Sequence, residues 1–421
     1  MWKTRHSEVE RSSIMPGQRD PLRLERVPFW FFHREGEQTA LSTFEHYISV
    51  GRERLRCGYT TGTCAAAAAR GATELLLTGR APALVRVDTP AGLPVDVELL
   101  EAASGPGWAA CSVRKDGGDD PDATHGALIQ ARVERTEAPG ITIDGGQGVG
   151  RVTRPGLDQP VGAAAINRVP RQMIAAQAQA ALEAAGCSGG LRVVISVPQG
   201  EALAQKTFNP RLGIVGGISI LGTSGIVRPM SEAALIDSLR LEQDMQAAAG
   251  VQDILVTPGN YGETFARETL GLSMAHSCTC SNYVGEAIDH AAGLGFRSLL
   301  LVGHIGKLCK VAAGVMNTHS RVADARRETL AAHTALCGGD RETVEAVFRT
   351  ITTDDAIDCL DRAGLRGPVM ASLARELDLQ LKRRAGEGME IEAIFFSNRF
   401  GILGRTPGAE KLAARHPAAE A

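Results

Sequence analysis

"SLLLVGHIGK", residues 298–307, decides the fold class of this chain of 421 residues. A short run of bulky apolar residues leads into a turn that contains glycine, and a helix-forming sequence follows. The same order recurs after "DILVT" (253–257), through "PGNYGE", and after "GISIL" (217–221), through "GTSGIVRP", into a helix expected at residues 231–249. Repeated strand, glycine loop and helix predict a mostly parallel sheet flanked by helices. Ligands bind beyond the carboxyl ends of the strands in such sheets, where these glycine loops lie.

The N-terminal half has a different order of elements. "YTTGTCAAAAARGATELLLTG" (59–79) predicts a helix that ends at Gly79, and "PRQMIAAQAQAALEAAG" (170–186) predicts a second helix. "GITIDGGQGVGRVT" (140–153) predicts a hairpin. Strands are expected at "ALVRVDT", "PVDVELL", "AACSVRK", "ALIQARVE" and "LRVVISV". We therefore expect an α/β protein in which the N-terminal half is α+β with hairpins and the C-terminal half is Rossmann-like.

These patterns divide the chain into three segments. Residues 1–50 form an extension that either packs on the body or is partly disordered, because they hold scattered charges and aromatic residues without a clear period. Residues 51–212 form the α+β domain, which carries an aspartate-rich loop. Residues 213–421 form the α/β domain, in which we expect a site for an adenosyl-type ligand.

Composition excludes several classes of function. Forty-five basic residues stand against 48 acidic ones, so a formal net charge of −3 gives no support for nucleic-acid binding through a broad basic face. The apolar runs have the length of strands, far below that of a membrane span. Nine cysteines without a secretory signal predict reduced thiols. We expect a cytoplasmic protein that binds neither membrane nor nucleic acid. The composition is also compatible with a homo-oligomer.

The loop "VRKDGGDDPDATHGALI" (113–129) is the most unusual stretch of the chain. An EF-hand fails, because counting from the first aspartate puts Gly118 at the third position and Pro121 where glycine is required. A magnesium site, an acid/base site and an ordinary turn remain open. Crowded carboxylates raise some of the pKa values, which would suit a general acid or base. The loop holds four aspartates: Asp116, Asp119, Asp120 and Asp122.

The glycine loops do not match the standard phosphate-binding motifs. "GTSGIV" lacks the dinucleotide fingerprint, and in "GHIGK" the first Walker A glycine would fall on Leu301. A non-phosphate adenosyl ligand therefore fits better than ATP or NAD. "HSCTC" offers Cys278 and Cys280, but this spacing is poor for zinc, so no protein-bound metal is predicted.

Two further segments each admit two interpretations. "YTTGTC" before the first helix is typical of ordinary helix capping, and it is equally suited to capturing a carboxylate by free N–H groups. "VMNTHSRVADARRE" (315–328) is either a capped helix start with a solvated charged face or a ligand site.

Several long segments together resemble the cobalt-precorrin-5B C(1)-methyltransferase family of anaerobic cobalamin biosynthesis. They run in family order over about residues 54 to 410, and Gly117 stands where the family commonly has alanine. The resemblance implies methyl transfer from S-adenosylmethionine to C-1 of a cobalt-bound tetrapyrrole, giving cobalt-precorrin-6A, with cobalt present only in the substrate. The segments are "LRCGYTTGTCAAAAA", "VRKDGGDDPDATHG", "ITIDGGQGVGRVTRPGL", "INRVPR", "KTFNPRLGIVGGISILGTSGIVRPMS", "TPGNYGE", "GHIGKLCKVAAGVMNTHSRVADARRE" and "FGILGRTPGA".

The implied chemistry suggests roles for these motifs. A sulfonium donor prefers carbonyl, hydroxyl and carboxylate neighbours, and the candidates are Gly222, Thr223, Ser224, Gly225, Gly259, Asn260 and Glu263. The acetate and propionate groups of the macrocycle require cations and helix N-termini. Candidates for contacting the macrocycle are Thr60, Thr61, Lys115, Lys206, Arg211, His304, Lys307, Lys310 and His319. Candidates for acid/base catalysis are Asp116, Asp119 and Asp120, with His125.

Two rival functions belong to other classes. A corrinoid carrier would bind the macrocycle tightly and have no affinity for S-adenosylmethionine. An oxidoreductase would use a nicotinamide cofactor at the second sheet, which the missing dinucleotide fingerprint disfavours.

Overall fold

The computed structural model describes residues 44–50 and 52–418. Most of the predicted N-terminal extension therefore lies outside the described residues. In the part of the chain that the structure describes, no helix is both long enough and apolar enough to span a bilayer.

The N-terminal half is built on a five-stranded sheet in the order β6-β7-β8-β12-β9. Neighbouring strands are antiparallel except for β12 and β9, which run parallel. The elements in chain order are β1 (Tyr47–Val50), β2 (Glu53–Arg56), β3 (Gly58–Tyr59), α1 (Thr61–Thr78), β4 (Leu84–Asp88), β5 (Pro94–Glu98), β6 (Glu101–Gly105), β7 (Trp108–Arg114), β8 (Leu128–Thr136), β9 (Gly140–Gly145), β10 (Gly148–Val149), β11 (Arg151–Val152), α2 (Arg168–Ala184), β12 (Gly190–Ser196), α3 (Gly200–Ala204), β13 (Ile214–Val215), β14 (Gly217–Ile218) and β15 (Ile226–Val227).

Helix α1 lies at the centre of this half. Thr60 caps it by accepting a hydrogen bond from the Thr63 N–H, and Gly79, with a φ of 74°, ends it where the sequence predicted. The alanines at 65–69 are all fully buried, because their small side chains allow close packing of α1 against α2 and the sheet. The alanine run therefore forms part of the core.

The C-terminal half contains a second five-stranded sheet, in the order β17-β16-β18-β19-β20. Its first four strands are parallel and β20 is antiparallel. The elements are α4 (Glu232–Ala248), β16 (Asp253–Thr257), α5 (Asn260–Glu268), β17 (Ser277–Thr279), α6 (Val284–Gly293), β18 (Ser298–His304), α7 (Ile305–Ala312), α8 (Arg326–Leu336), α9 (Arg341–Phe348), α10 (Thr353–Arg362), α11 (Arg366–Ala385), β19 (Glu390–Ser397), β20 (Gly401–Arg405) and α12 (Ala409–Ala413).

Helices cover both faces of the C-terminal sheet. One face packs against α4, α6, α7 and the helices that connect β18 to β19, and the other face packs against α5 and α12. The predicted α/β class with a mostly parallel, helix-flanked sheet is confirmed. The strand order reverses between β16 and β18, so the carboxyl ends of these strands form a topological switch point, where ligands bind in open α/β sheets. The Rossmann-like detail stays a prediction.

The hairpin expected at residues 140–153 is wrong. Strand β9 pairs in parallel with β12, while β10 and β11 pair with β14 and β13. The glycines allow this arrangement, because the backbone at Gly148 lies directly against residues 197–200, and an added Cβ would be 1.9 Å from the Val197 carbonyl oxygen. Close backbone packing therefore explains the glycine at this position.

Residues 214–227 belong to the N-terminal half. Strands β13, β14 and β15 pair with β11, β10 and β3, and Ile218, Ile220 and Ile226 lie in the same core as α1. The "GISIL" segment is therefore not a strand of the C-terminal sheet. We propose that the boundary between the two domains lies near residue 230 rather than at residue 213.

The two halves meet where the segment after β11 packs on α4. Gly156 has a φ of 96°, and a Cβ there would lie 2.8 Å from the Met245 Cα and 3.0 Å from the Ala248 Cβ. Glycine is required at this point because the backbones approach so closely. Nearby, Arg211 of the N-terminal half forms an ion pair of 3.5 Å with Glu263 on α5.

Gly156→Ala tests this contact. We expect it to lower the free energy of unfolding by about 1–3 kcal/mol more than Gly162→Ala does, because overpacking adds to backbone strain. Gly162 is a matched control, since its φ of 91° is similar and no atom lies within 4 Å of its added Cβ. Urea denaturation of both variants measures the difference, and equal losses would contradict the contact.

Candidate functional site

Three segments that are distant in sequence meet at the N-terminus of α1. The Tyr59 N–H donates to the Asp116 carbonyl oxygen at 2.9 Å, and the Thr60 N–H donates to the Gly225 carbonyl oxygen at 3.0 Å. The Thr61 hydroxyl accepts a hydrogen bond from the Leu221 N–H at 2.9 Å. The "YTTGT" turn, the aspartate loop and the "GTSGI" loop therefore form one cluster within the N-terminal half.

The glycines of the "GTSGI" loop are required by packing. An added Cβ at Gly222 would lie 2.3 Å from the Thr60 hydroxyl, and one at Gly225 would lie 2.7 Å from the Thr89 Cβ. The Ser224 hydroxyl bonds to the backbone of Ile226 in the same loop. Among described residues, no hydrogen bond joins this loop to the "PGNYGE" segment, so these two groups of predicted donor ligands are not brought together by direct contact.

Asp116 forms a buried ion pair. Its carboxylate is 2% exposed and accepts two hydrogen bonds from the Arg56 guanidinium, at 2.6 and 2.9 Å. Burial alone would raise the pKa of Asp116, but Arg56 and the Gly118 N–H hold that pKa below its ordinary value. Asp116 is therefore an ionised structural carboxylate.

Asp122 is paired in a similar way. Its carboxylate accepts from the ammonium group of Lys115, which is 2% exposed, and from the N–H and hydroxyl of Thr124, both at 2.7 Å. Burial would raise the pKa of Asp122, yet Lys115 and Thr124 lower it. The expectation that crowding raises carboxylate pKa values is wrong for Asp116 and Asp122, because each has its own cation.

The other members of the loop are differently placed. Asp119 is the exposed one of the four aspartates, and one of its oxygens accepts from the Arg56 N–H at 2.6 Å. Asp120 accepts from the Met230 N–H at 3.1 Å. His125 has a 47% exposed side chain whose Nδ1 accepts from the Gly117 N–H at 3.1 Å. Asp119 and His125 are thus more accessible to a ligand than Asp116.

At the carboxyl ends of the C-terminal strands, Lys307 connects two loops. Its ammonium group donates to the carbonyl oxygens of Pro258 and Ser281, at 2.8 and 2.9 Å, and burial lowers its pKa. His304 caps α7 by accepting the Gly306 N–H at Nδ1, 3.1 Å away, and burial lowers its pKa as well. These contacts place both residues at the switch point, where Lys307 is engaged by backbone groups.

The remaining predicted cations differ in availability. Lys310 is 2% exposed and donates to the carbonyl oxygens of Thr318 and Ala323 at 3.0 and 3.1 Å. It therefore stabilises the loop that follows α7. His319 is exposed, and its Nδ1 accepts from a backbone N–H in that loop. Lys206 is exposed and makes no ion pair with any described residue.

A cleft of about 430 Å³ lies between the two halves. Arg154 and Arg211 line it from the N-terminal half, and Glu242 of α4 and Glu263 of α5 line it from the C-terminal half. Gly259 and Asn260 precede Glu263 at the start of α5. Two of these charged residues, Arg154 and Glu242, were not among the candidates from the sequence. Arg154 lies in the quoted segment "ITIDGGQGVGRVTRPGL". Glu242 lies in an ordinary helical pattern, and nothing in that pattern marks it as a site residue.

Comparison with known proteins identifies the family. The CbiD family model matches residues 48–229, and the model for the CbiD C-terminal domain matches residues 317–407. The chain belongs to the CbiD family. The end of the first CbiD match agrees with the proposed domain boundary near residue 230.

Three curated relatives of this CbiD-family chain are named cobalt-precorrin-5B C(1)-methyltransferase. The relative from Ruminiclostridium cellulolyticum is 47% identical over 84% of this chain and 92% of its own length. Those from Thermoanaerobacter sp. and Salmonella typhimurium are 46% and 45% identical, over 86% and 85% of this chain and 98% and 94% of their own lengths. A crystal structure of the CbiD protein from Archaeoglobus fulgidus is 32% identical over 66% of this chain and 87% of that chain, with a TM-score of 0.36.

Among the described residues, no group of three or more His, Cys, Asp or Glu side chains is arranged to hold a metal ion. Cys278 and Cys280 are buried, and burial raises the pKa of Cys280 to about 12. Burial raises the pKa of Cys278 as well, so both thiols are protonated, and they lie in the core of the C-terminal half.

Arg56→Met tests the buried ion pair. We expect a loss on the order of 2 kcal/mol at pH 7, because the Asp116 carboxylate would remain buried without its cation. The depressed pKa of Asp116 means that the pair stabilises the fold above the ordinary aspartate pKa of about 3.9 and that this contribution disappears as pH falls through the folded-state value.

The difference between wild type and Arg56→Met should therefore shrink in acid, as measured by denaturant unfolding at several pH values. Arg54→Met is the matched control, since Arg54 lies on the same strand and is exposed. A pH-independent difference would argue against the ion pair as its source.

Proposed function

We propose that this chain transfers the methyl group of S-adenosylmethionine to C-1 of cobalt-precorrin-5B, giving cobalt-precorrin-6A in cobalamin biosynthesis. The observation that carries the proposal is the 42–47% identity, over 84–87% of the chain, to relatives named for this methyl transfer. The cobalt enters as part of the substrate.

The reaction depends mainly on positioning. The carbon–sulfur bond of the sulfonium breaks as the bond from the methyl carbon to C-1 forms, and S-adenosylhomocysteine leaves with the electron pair. An in-line displacement of this kind gains most from holding donor and acceptor in the reactive geometry. A cleft between two halves of a protein is suited to this task, because each half can contribute contacts to one reactant.

We propose that the segment from residue 206 to residue 230 contacts the macrocycle. A tetrapyrrole presents an apolar ring with carboxylates at its edge, so apolar surface beside a cation is required. Large exposed apolar side chains are concentrated in this segment, and exposed apolar surface marks binding sites. They are Phe208, Val215, Leu221 and Met230, all at least half exposed, and Lys206 lies in the same segment without an ion pair to any described residue.

For proton transfer at the ring we propose Asp119 and His125. The exposure of both side chains supports this choice, whereas burial and the Arg56 pair argue against Asp116. His125 Nδ1 accepts a backbone hydrogen bond, so the neutral ring carries its proton on Nε2.

Calorimetry tests the donor. We expect saturable binding of S-adenosylmethionine and S-adenosylhomocysteine and no binding of NADH, because the chain lacks a dinucleotide fingerprint. The titration is repeated in the presence of a corrinoid analogue, which would complete a site formed with both reactants. Corrinoid binding without any donor binding would instead indicate a carrier.

Asp119→Asn and His125→Gln test the proton-transfer groups. We expect each to reduce turnover by about 10²–10⁴-fold, the usual contribution of a general acid or base, with donor affinity unchanged. Asp96→Asn is the control, since Asp96 is exposed on the β4–β5 hairpin beside Arg86. Full turnover in both variants would indicate that the aspartate loop has only a structural role.

A further inference from the structure

The cleft between the halves contains charges that do not neutralise each other. Among described residues, Arg154 makes no hydrogen bond or ion pair, and no ion pair joins it to Glu242 in the same cleft. One Glu242 oxygen accepts from the Thr279 N–H at 3.2 Å, and the other has no protein partner among those residues. A cation and a carboxylate thus line one small space without pairing.

Glu242 is poorly compensated by the protein. Burial raises its pKa, and the Thr279 N–H and the positive charge of Arg211 offset this only in part. Glu263, by contrast, has Arg211 at 3.5 Å and Arg267 at 3.8 Å. The carboxylate of the cleft that most needs an added positive charge is therefore Glu242.

The size and the walls of the cleft restrict the ligand. Its volume of about 430 Å³ lies in the range of roughly 300–1,000 Å³ found for small-molecule sites. Met245, Met274, Leu212 and Pro155 add apolar surface between the charged groups. A ligand with both an ammonium and a carboxylate on a short apolar chain matches this arrangement.

We propose that this cleft binds the amino-acid end of the methyl donor, with the ammonium group at Glu242 and the carboxylate at Arg154. This assignment rests on the proposed function. The adenosyl end then extends along α5 toward Gly259 and Asn260, which precede the cleft residue Glu263 on the same helix. The "GTSGI" loop, which packs on α1, takes no part in donor binding.

Three ligands separate the two ends of the donor in a calorimetric test. S-adenosylmethionine and S-adenosylhomocysteine carry the amino-acid end, whereas 5′-methylthioadenosine lacks it. We expect Glu242→Gln and Arg154→Met each to weaken binding of the first two by at least tenfold and to leave the affinity for 5′-methylthioadenosine unchanged. Glu232→Gln is the matched control, because it removes an exposed carboxylate from the same helix outside the cleft.

Each outcome has a distinct meaning. Wild-type affinity for S-adenosylhomocysteine in both variants would overturn the cleft assignment and leave the proposed function standing. Equal weakening of all three ligands in both variants would also overturn it, because a general disturbance of the fold would explain the result. Failure of wild-type protein to bind S-adenosylmethionine, with and without the corrinoid analogue, would overturn both proposals.

Discussion

The N-terminal half depends on satisfying the buried start of α1. The first N–H groups of a helix have no partners within the helix, and an end that is buried must find them elsewhere. Here the Leu221 carbonyl oxygen accepts from the Gly62 N–H, and Thr60 and Thr61 exchange hydrogen bonds with the same distant loop. Because that loop lies against α1 through Gly222 and Gly225, the threonines and glycines of both motifs have a structural explanation that requires no ligand.

Several charged residues in the motifs also contribute to the fold. Lys307 and Lys310 donate to backbone carbonyl oxygens, and Lys115 and Arg56 each pair with an aspartate. A buried cation without partners would be costly, and each of these groups has acceptors in neighbouring loops. These side chains therefore stabilise the loops that carry the motifs.

The charges left for a ligand lie where the two halves meet. Gly156 allows the N-terminal half to pack on the backbone of α4. Arg154 and Glu242 line the cleft beside this contact from opposite sides. Neither half contains this pair by itself. For a reaction governed by the alignment of two reactants, such a boundary provides both the pocket and the means of orienting it.

The sequence by itself determined the local elements and the family. The period of apolar residues and the caps defined α1, β16 and β18, since these signals act over neighbouring residues. The tertiary structure alone decided that residues 214–227 join the N-terminal half and that Asp116 is neutralised by Arg56, 60 residues earlier. It also decided that Glu242 faces a cleft. Contacts between distant segments leave no periodic signal, so charge pairing, burial and pocket formation become visible only in the folded chain.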